Sequence, residues 1–140
     1  MRIVLDTNVL VSGLLSAAGP PGRVLDLVLA GRLTVHFDDR ILMEYRDVLA
    51  RPRLRIDPRA AAAVLDHVEQ TGILTPAAPL DVELPDADDL PFLEVAVAGS
   101  VDALVTGNQR HYQPRLGRCT SPVETPAEFL ARWLALHPRG

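Results

Sequence analysis

Four polar residues stand where the apolar pattern of the chain aims them at one place, and three of them are acids. Ile3, Val4 and Leu5 form a short apolar run with two β-branched members and lead straight into Asp6, which reads as a strand buried on both faces with a carboxylate at its carboxyl end. In an open α/β sheet that end borders the ligand crevice. Glu44 comes three residues after Ile41 and four before Val48, on the border of an apolar helical face, so its carboxylate leans toward the sheet. In Asp86-Ala87-Asp88-Asp89, Asp89 precedes Leu93 and Ala96 by four and seven residues and shares their stripe, with Asp86 one turn earlier on that line. Asn108 follows Gly107 just past a second apolar run, Ala103-Leu104-Val105.

Carboxylates gathered at one sheet edge, with no lysine or arginine in the same motifs, repel one another and have raised pKa values until a cation is supplied. Oxygen donors without histidine or cysteine suit magnesium or manganese rather than zinc. Asp6, Asp89, Glu44 and Asp86 are therefore the candidate metal ligands. Each residue also has a plainer reading. Asp6 is a preferred cap for the helix after it, Glu44 fits a solvated helix face, Asp86, Asp88 and Asp89 fit first-turn acids, and Asn108 suits a left-handed turn after Gly107. His111 and Tyr112 read as loop packing, His36 and His67 take no role, and Cys119 reads as a small buried apolar residue. The combination, not any single acid, carries the functional reading.

Alternating strands and helices must position these groups. After the first strand, residues 9–15 read as a helix and 16–22 as a loop of breakers. Val24, Leu25, Leu27, Val28 and Leu29 recur with helical spacing before Gly31, and residues 33–37 read as a second strand. Asp38 and Asp39 start a third helix that Arg51-Pro52 ends, and Asp57-Pro58 opens a long alanine-rich helix reaching Thr71-Gly72. Residues 73–85 hold three prolines and read as a connector with a short strand at most. A helix from Leu90 ends at Gly99, residues 102–106 form a buried strand, and Thr125-Pro126-Ala127-Glu128 is a capping box opening a terminal helix through Leu136. This order belongs to an α/β sandwich with a central, mainly parallel sheet.

Bulk properties narrow the function classes. With 140 residues and no internal repeat, the chain reads as one domain, residues 1–140. A formal charge of -4 argues against binding nucleic acid by net charge alone, so any such contact is local. All 14 basic residues are arginine, which excludes Schiff-base chemistry and a P-loop lysine. One cysteine and no signal-like start fit a reducing cytoplasm, and no apolar run is long enough to span a bilayer.

These motifs resemble those of PIN domains. Ile3-Val4-Leu5-Asp6-Thr7-Asn8-Val9-Leu10 looks like their opening, Glu44 in Ile41-Leu42-Met43-Glu44-Tyr45 like their second acid, and Asp86-Ala87-Asp88-Asp89 with Phe92-Leu93-Glu94 like their third. Leu104-Val105-Thr106-Gly107-Asn108 with Arg110-His111-Tyr112 resembles the segment that carries the fourth, which is often Asp and is Asn108 here. The resemblance runs from Arg2 to about Thr125 and is nearest to toxins of bacterial type II toxin–antitoxin modules (VapC-like). It implies a three-layer α/β/α sandwich and a magnesium- or manganese-dependent endoribonuclease, usually a homodimer, held inactive by a cognate antitoxin. Asp6, Glu44, Asp89 and Asn108 would form the catalytic set, and cleavage would be in-line attack of a metal-activated water on a phosphodiester. An asparagine oxygen can still ligate or orient a water.

Arg40, Arg46, Arg51, Arg53, Arg55 and Arg59 crowd one region, and Arg51 and Arg53, with Arg110 and Asn8, are the candidates for holding RNA. Pairing with Asp38, Asp39, Asp47 and Asp57 is the alternative for most of these arginines. Two rivals to the nuclease reading remain. Phosphate-transfer switches commonly use a lysine, which this chain lacks. A non-catalytic PIN-like domain that binds RNA or a protein partner is kept open by Asn108.

Overall fold

A computed structural model describes residues 1–112 and 121–138. The expectation for Cys119 lies outside these residues. Strand β1 (Arg2–Leu5) is central, with Ile3, Val4 and Leu5 all fully buried. Because successive side chains point to opposite faces, this burial requires cover on both faces of the sheet. It comes from helices α1 (Thr7–Leu15), α2 (Pro20–Leu29), α3 (Asp39–Leu49), α4 (Pro58–Thr71), α5 (Leu90–Gly99) and α6 (Pro126–Leu136). The chain forms an α/β/α sandwich.

The other strands are β2 (Thr34–Phe37), β3 (Ile73–Leu74), β4 (Ala103–Val105) and β5 (Val123–Glu124), and the order across the sheet is β3-β2-β1-β4-β5. Every pairing is parallel. The chain steps outward from β1 through β2 to β3, then returns to lay β4 on the other side of β1. That reversal makes the carboxyl ends of β1 and β4 the switch point at which such sheets open a crevice. Leu5 pairs with Val105, so the next residues, Asp6 and Thr106, emerge there side by side.

Local signals explain most helix boundaries. Asp38 Oδ1 accepts the Ile41 N–H at 3.0 Å and Asp57 Oδ1 that of Arg59 at 3.0 Å. Thr125 and Glu128 complete both halves of the capping box at the start of α6. The expected loop over residues 16–22 ends early, because Pro20 and Pro21 occupy the first two positions of α2, where a missing N–H forfeits no helical bond. Gly22 is buried in that turn, and a Cβ there would stand 2.3 Å from the Ala17 carbonyl oxygen. Gly31 has a left-handed backbone just past α2 (φ 76°), the conformation glycine adopts without a steric penalty. The connector at residues 73–85 holds only the two-residue β3, as expected, while β5 has no counterpart in the sequence reading.

Candidate functional site

Asp6 occupies the cap position of α1, yet its side chain caps nothing. Oδ2 instead accepts the Thr106 hydroxyl at 2.8 Å and the Tyr112 hydroxyl at 2.9 Å. The carboxylate is nearly buried, and its backbone N–H bonds to Val105 O at 3.0 Å, extending the ladder between the two central strands. Asp89 behaves the same way. It precedes α5 without capping it, is 9% exposed, and meets His111 Nδ1 at 2.8 Å through Oδ2. Glu44 is half-buried and accepts the Thr7 hydroxyl, so its carboxylate turns toward the sheet rather than solvent. Beneath them, the buried Tyr45 hydroxyl donates to the Leu5 carbonyl and anchors α3 to β1.

The electrostatics follow from this crowding. Burial raises the pKa of Asp89 to about 6, with the charge of Asp6 adding to the shift and the His111 hydrogen bond opposing it. Burial also raises Glu44, against the Thr7 hydrogen bond and with help from Asp6, Asp88 and Asp86. The buried Tyr112 hydroxyl is driven well above its ordinary range by burial and then by Asp6. Among the described residues no arginine pairs with Asp6, Glu44 or Asp89; the one basic partner is His111.

A cleft of about 370 Å³ is lined by Glu44, Asp86, Asp88 and Asp89 with Thr7, Asn8, Arg51 and Arg53. Asp86 is exposed, and its Oδ1 accepts the Asp88 N–H at 2.9 Å, capping the 3₁₀ turn Ala87–Asp89. Asn8 gives its side-chain oxygen to the Gly107 N–H at 2.9 Å, which ties the start of α1 to the loop after β4. Arg51 pairs with Asp47 at 3.0 Å, whereas Arg53 has no ion-pair partner among the described residues. Asn108 and Arg110 line a neighbouring polar hollow of about 470 Å³ with Gln109 and His111. The Asn108 backbone has a negative φ (-129°), so it is not the left-handed turn residue that one reading of the sequence allowed. A third cavity of about 410 Å³, between α3 and α4, has an apolar floor of Leu49, Ile56, Ala61 and Leu65 and no acid cluster.

The sequence matches the PIN domain family over residues 2–110, most of the chain. The chain belongs to the PIN domain family. It is also 26% identical over 141 aligned residues to an uncharacterized protein of Methanocaldococcus jannaschii, an alignment covering 93% of this chain and 90% of that one. PIN domains are typically nucleases, usually dependent on a divalent metal.

The donor set of this PIN domain suits such an ion. Its acids are crowded oxygen donors with no arginine partner among the described residues, and a hard divalent cation would relieve their mutual repulsion. Among the described residues no group of three acidic, imidazole or thiol side chains is arranged to hold an ion alone. A hard divalent cation that keeps several of its waters needs only one or two carboxylates from the protein. No helix among the described residues is long and apolar enough to cross a membrane.

Three contributors to the site escaped the sequence reading. Thr106, His111 and Tyr112 hold Asp6 or Asp89 directly, although His111 and Tyr112 read as loop packing. A signal for Thr106 was present, since it follows its strand just as Asp6 follows β1. Nothing local singles out His111 or Tyr112, whose partners lie 22 and 106 residues away.

Proposed function

We propose that residues 1–140 form a single nuclease domain that cleaves RNA endonucleolytically with magnesium or manganese, as the toxin of a toxin–antitoxin module. The observation that carries this reading is the cluster of Asp6, Glu44 and Asp89 at the sheet's switch point, which has no arginine partner among the described residues. Asp6 and Asp89 would hold the cation directly, with Glu44 and Asp86 reaching it through water. When bound, the ion supplies Lewis acidity to the phosphodiester and lowers the pKa of the attacking water. The residues of the chain do the rest. Thr7 fixes Glu44 so that its other oxygen can orient a nucleophile for in-line attack. Arg53, which lines the cleft and has no acidic partner among the described residues, would take a backbone phosphate, with Arg51 beside it. Arg110 and Asn108 would contact the strand on the far side, in the adjoining hollow. A homodimer in the cytoplasm, restrained by a cognate antitoxin, is the assembly we infer.

The test is to incubate the purified chain with total RNA in magnesium, manganese or EDTA and to sequence the cut ends. Metal-dependent cuts at a small set of sites, lost in Asp6→Asn, are expected. RNA left intact under all three conditions would overturn the catalytic reading and favour a binding domain.

A further inference from the structure

Two neighbouring residues of one short turn each grip a different acid of the candidate site. Tyr112 donates its hydroxyl to Asp6 Oδ2 at 2.9 Å, where the Thr106 hydroxyl also donates at 2.8 Å. His111 Nδ1 meets Asp89 Oδ2 at 2.8 Å. Among the described residues no hydrogen bond reaches Oδ1 of either acid. Among the described residues each carboxylate therefore has one oxygen engaged and one without a hydrogen bond.

The turn that carries the two grips is itself held. The His111 N–H bonds to Asn108 O and the Tyr112 N–H to Gln109 O, both at 3.0 Å, forming a 3₁₀ turn over Gln109–His111. The Gln109 amide then donates to Val123 O at 2.9 Å on β5 and to Glu128 Oε1 at 2.7 Å on α6. Tyr112 is fully buried, so packing fixes its hydroxyl in place.

The geometry points to a clasp: His111 and Tyr112 keep Asp6 and Asp89 to one oxygen each and thereby favour small octahedral cations over calcium. This rests on the metal site proposed above. A carboxylate already bonded through Oδ2 presents a single oxygen, which suits the tight, water-rich octahedron of magnesium or manganese. Calcium takes roughly six to eight oxygens and readily uses both oxygens of a carboxylate. Freeing Oδ2 of Asp6 or Asp89 restores that option. His111 and Tyr112 are positioning residues in this scheme, since each acts through an acid and neither touches the ion.

Calorimetric titration of the full chain without RNA, using manganese, magnesium and calcium chlorides in turn, tests the clasp. In the double variant Tyr112→Phe with His111→Leu, manganese affinity should fall about tenfold, the scale on which partners of metal ligands act. Calcium affinity should hold or tighten, so the preference for manganese narrows. His111→Asn should keep the wild-type preference, because its amide N–H can stand where Nδ1 donates. If the double variant fails to fold by circular dichroism, Tyr112→Phe alone and the comparison of His111→Leu with His111→Asn decide. Equal weakening of all three ions, or an unchanged preference in Tyr112→Phe and His111→Leu, would overturn the clasp and leave the metal site standing. Wild-type protein that binds none of the ions would remove the site and the clasp together.

Discussion

Two acid clusters lie in this molecule, each using a residue just past a central strand, and they are finished in opposite ways. In the first, Asp38 after β2 and Glu94 on α5 share Arg40. Its Nε and Nη2 bond to Asp38 Oδ2 at 2.8 and 2.7 Å, and its Nη1 to Glu94 Oε1 at 2.7 Å. The remaining oxygens are also used, Asp38 Oδ1 by the Ile41 N–H and Glu94 Oε2 by the Leu80 N–H at 2.7 Å. In the second, Asp6, Glu44 and Asp89 each have a hydrogen bond on one oxygen only, and no arginine joins them among the described residues. The first cluster is bridged by its own arginine, which offsets one of its two negative charges, and it serves the fold. Among the described residues the second has only His111, beside Asp89, as a basic partner, so most of its negative charge is left unbalanced there, and it borders the cleft.

The sharpest break in this comparison is Asp6→Asn. Removing one charge from the open cluster should lower RNA cleavage by at least about a hundredfold, near 2.7 kcal/mol of transition-state stabilisation. In EDTA the same variant should melt no lower than wild type, because it relieves repulsion. A lower melting temperature in EDTA would show that Asp6 serves the fold as Asp38 does.

The mirror experiment is Arg40→Leu in the closed cluster. It strands Glu94, which is 4% exposed, and should cost about 2 kcal/mol in urea denaturation, a value below that of a fully buried pair because Arg40 is half-exposed. Unchanged stability would mean that the two clusters do not differ in the way described.

A smaller effect separates the clusters by pH. Asp89, with its pKa raised to about 6, binds a proton more tightly in the folded than in the unfolded chain. Its ionisation therefore subtracts stability as pH rises from the unfolded value toward 6, and no further above that. Metal must displace this proton, so manganese affinity measured by calorimetry should rise about tenfold from pH 5 to pH 7. A flat profile would detach Asp89 from the ion. The smallest expected effect is at Asn108, which sits in the adjoining hollow. Asn108→Asp should lower stability in EDTA by only about 0.5 kcal/mol and recover with magnesium, while activity at low metal is kept or raised. Asn108→Leu should reduce activity. Equal activity of all three forms across metal concentrations would remove Asn108 from the site.

What the chain declares locally is considerable. Apolar runs mark β1 and β4, and Asp57-Pro58 and Thr125-Pro126-Ala127-Glu128 mark helix starts. These features depend on neighbours within a turn or a strand, so the sequence displays them directly. The two-residue strands β3 and β5 depend on the sheet edge they join: β3 was expected only as a short strand at most, and β5 not at all. The double proline of α2 read as a breaker because its helical continuation lay downstream. Above all, Asp6 and Asp38 look alike in sequence, each an acid at the junction of a strand and a helix. Tertiary structure alone tells them apart, since the groups that claim Asp6 are Thr106 and Tyr112, 100 and 106 residues away. They bring hydroxyls and no positive charge, whereas the partner of Asp38 is an arginine two residues along the same chain.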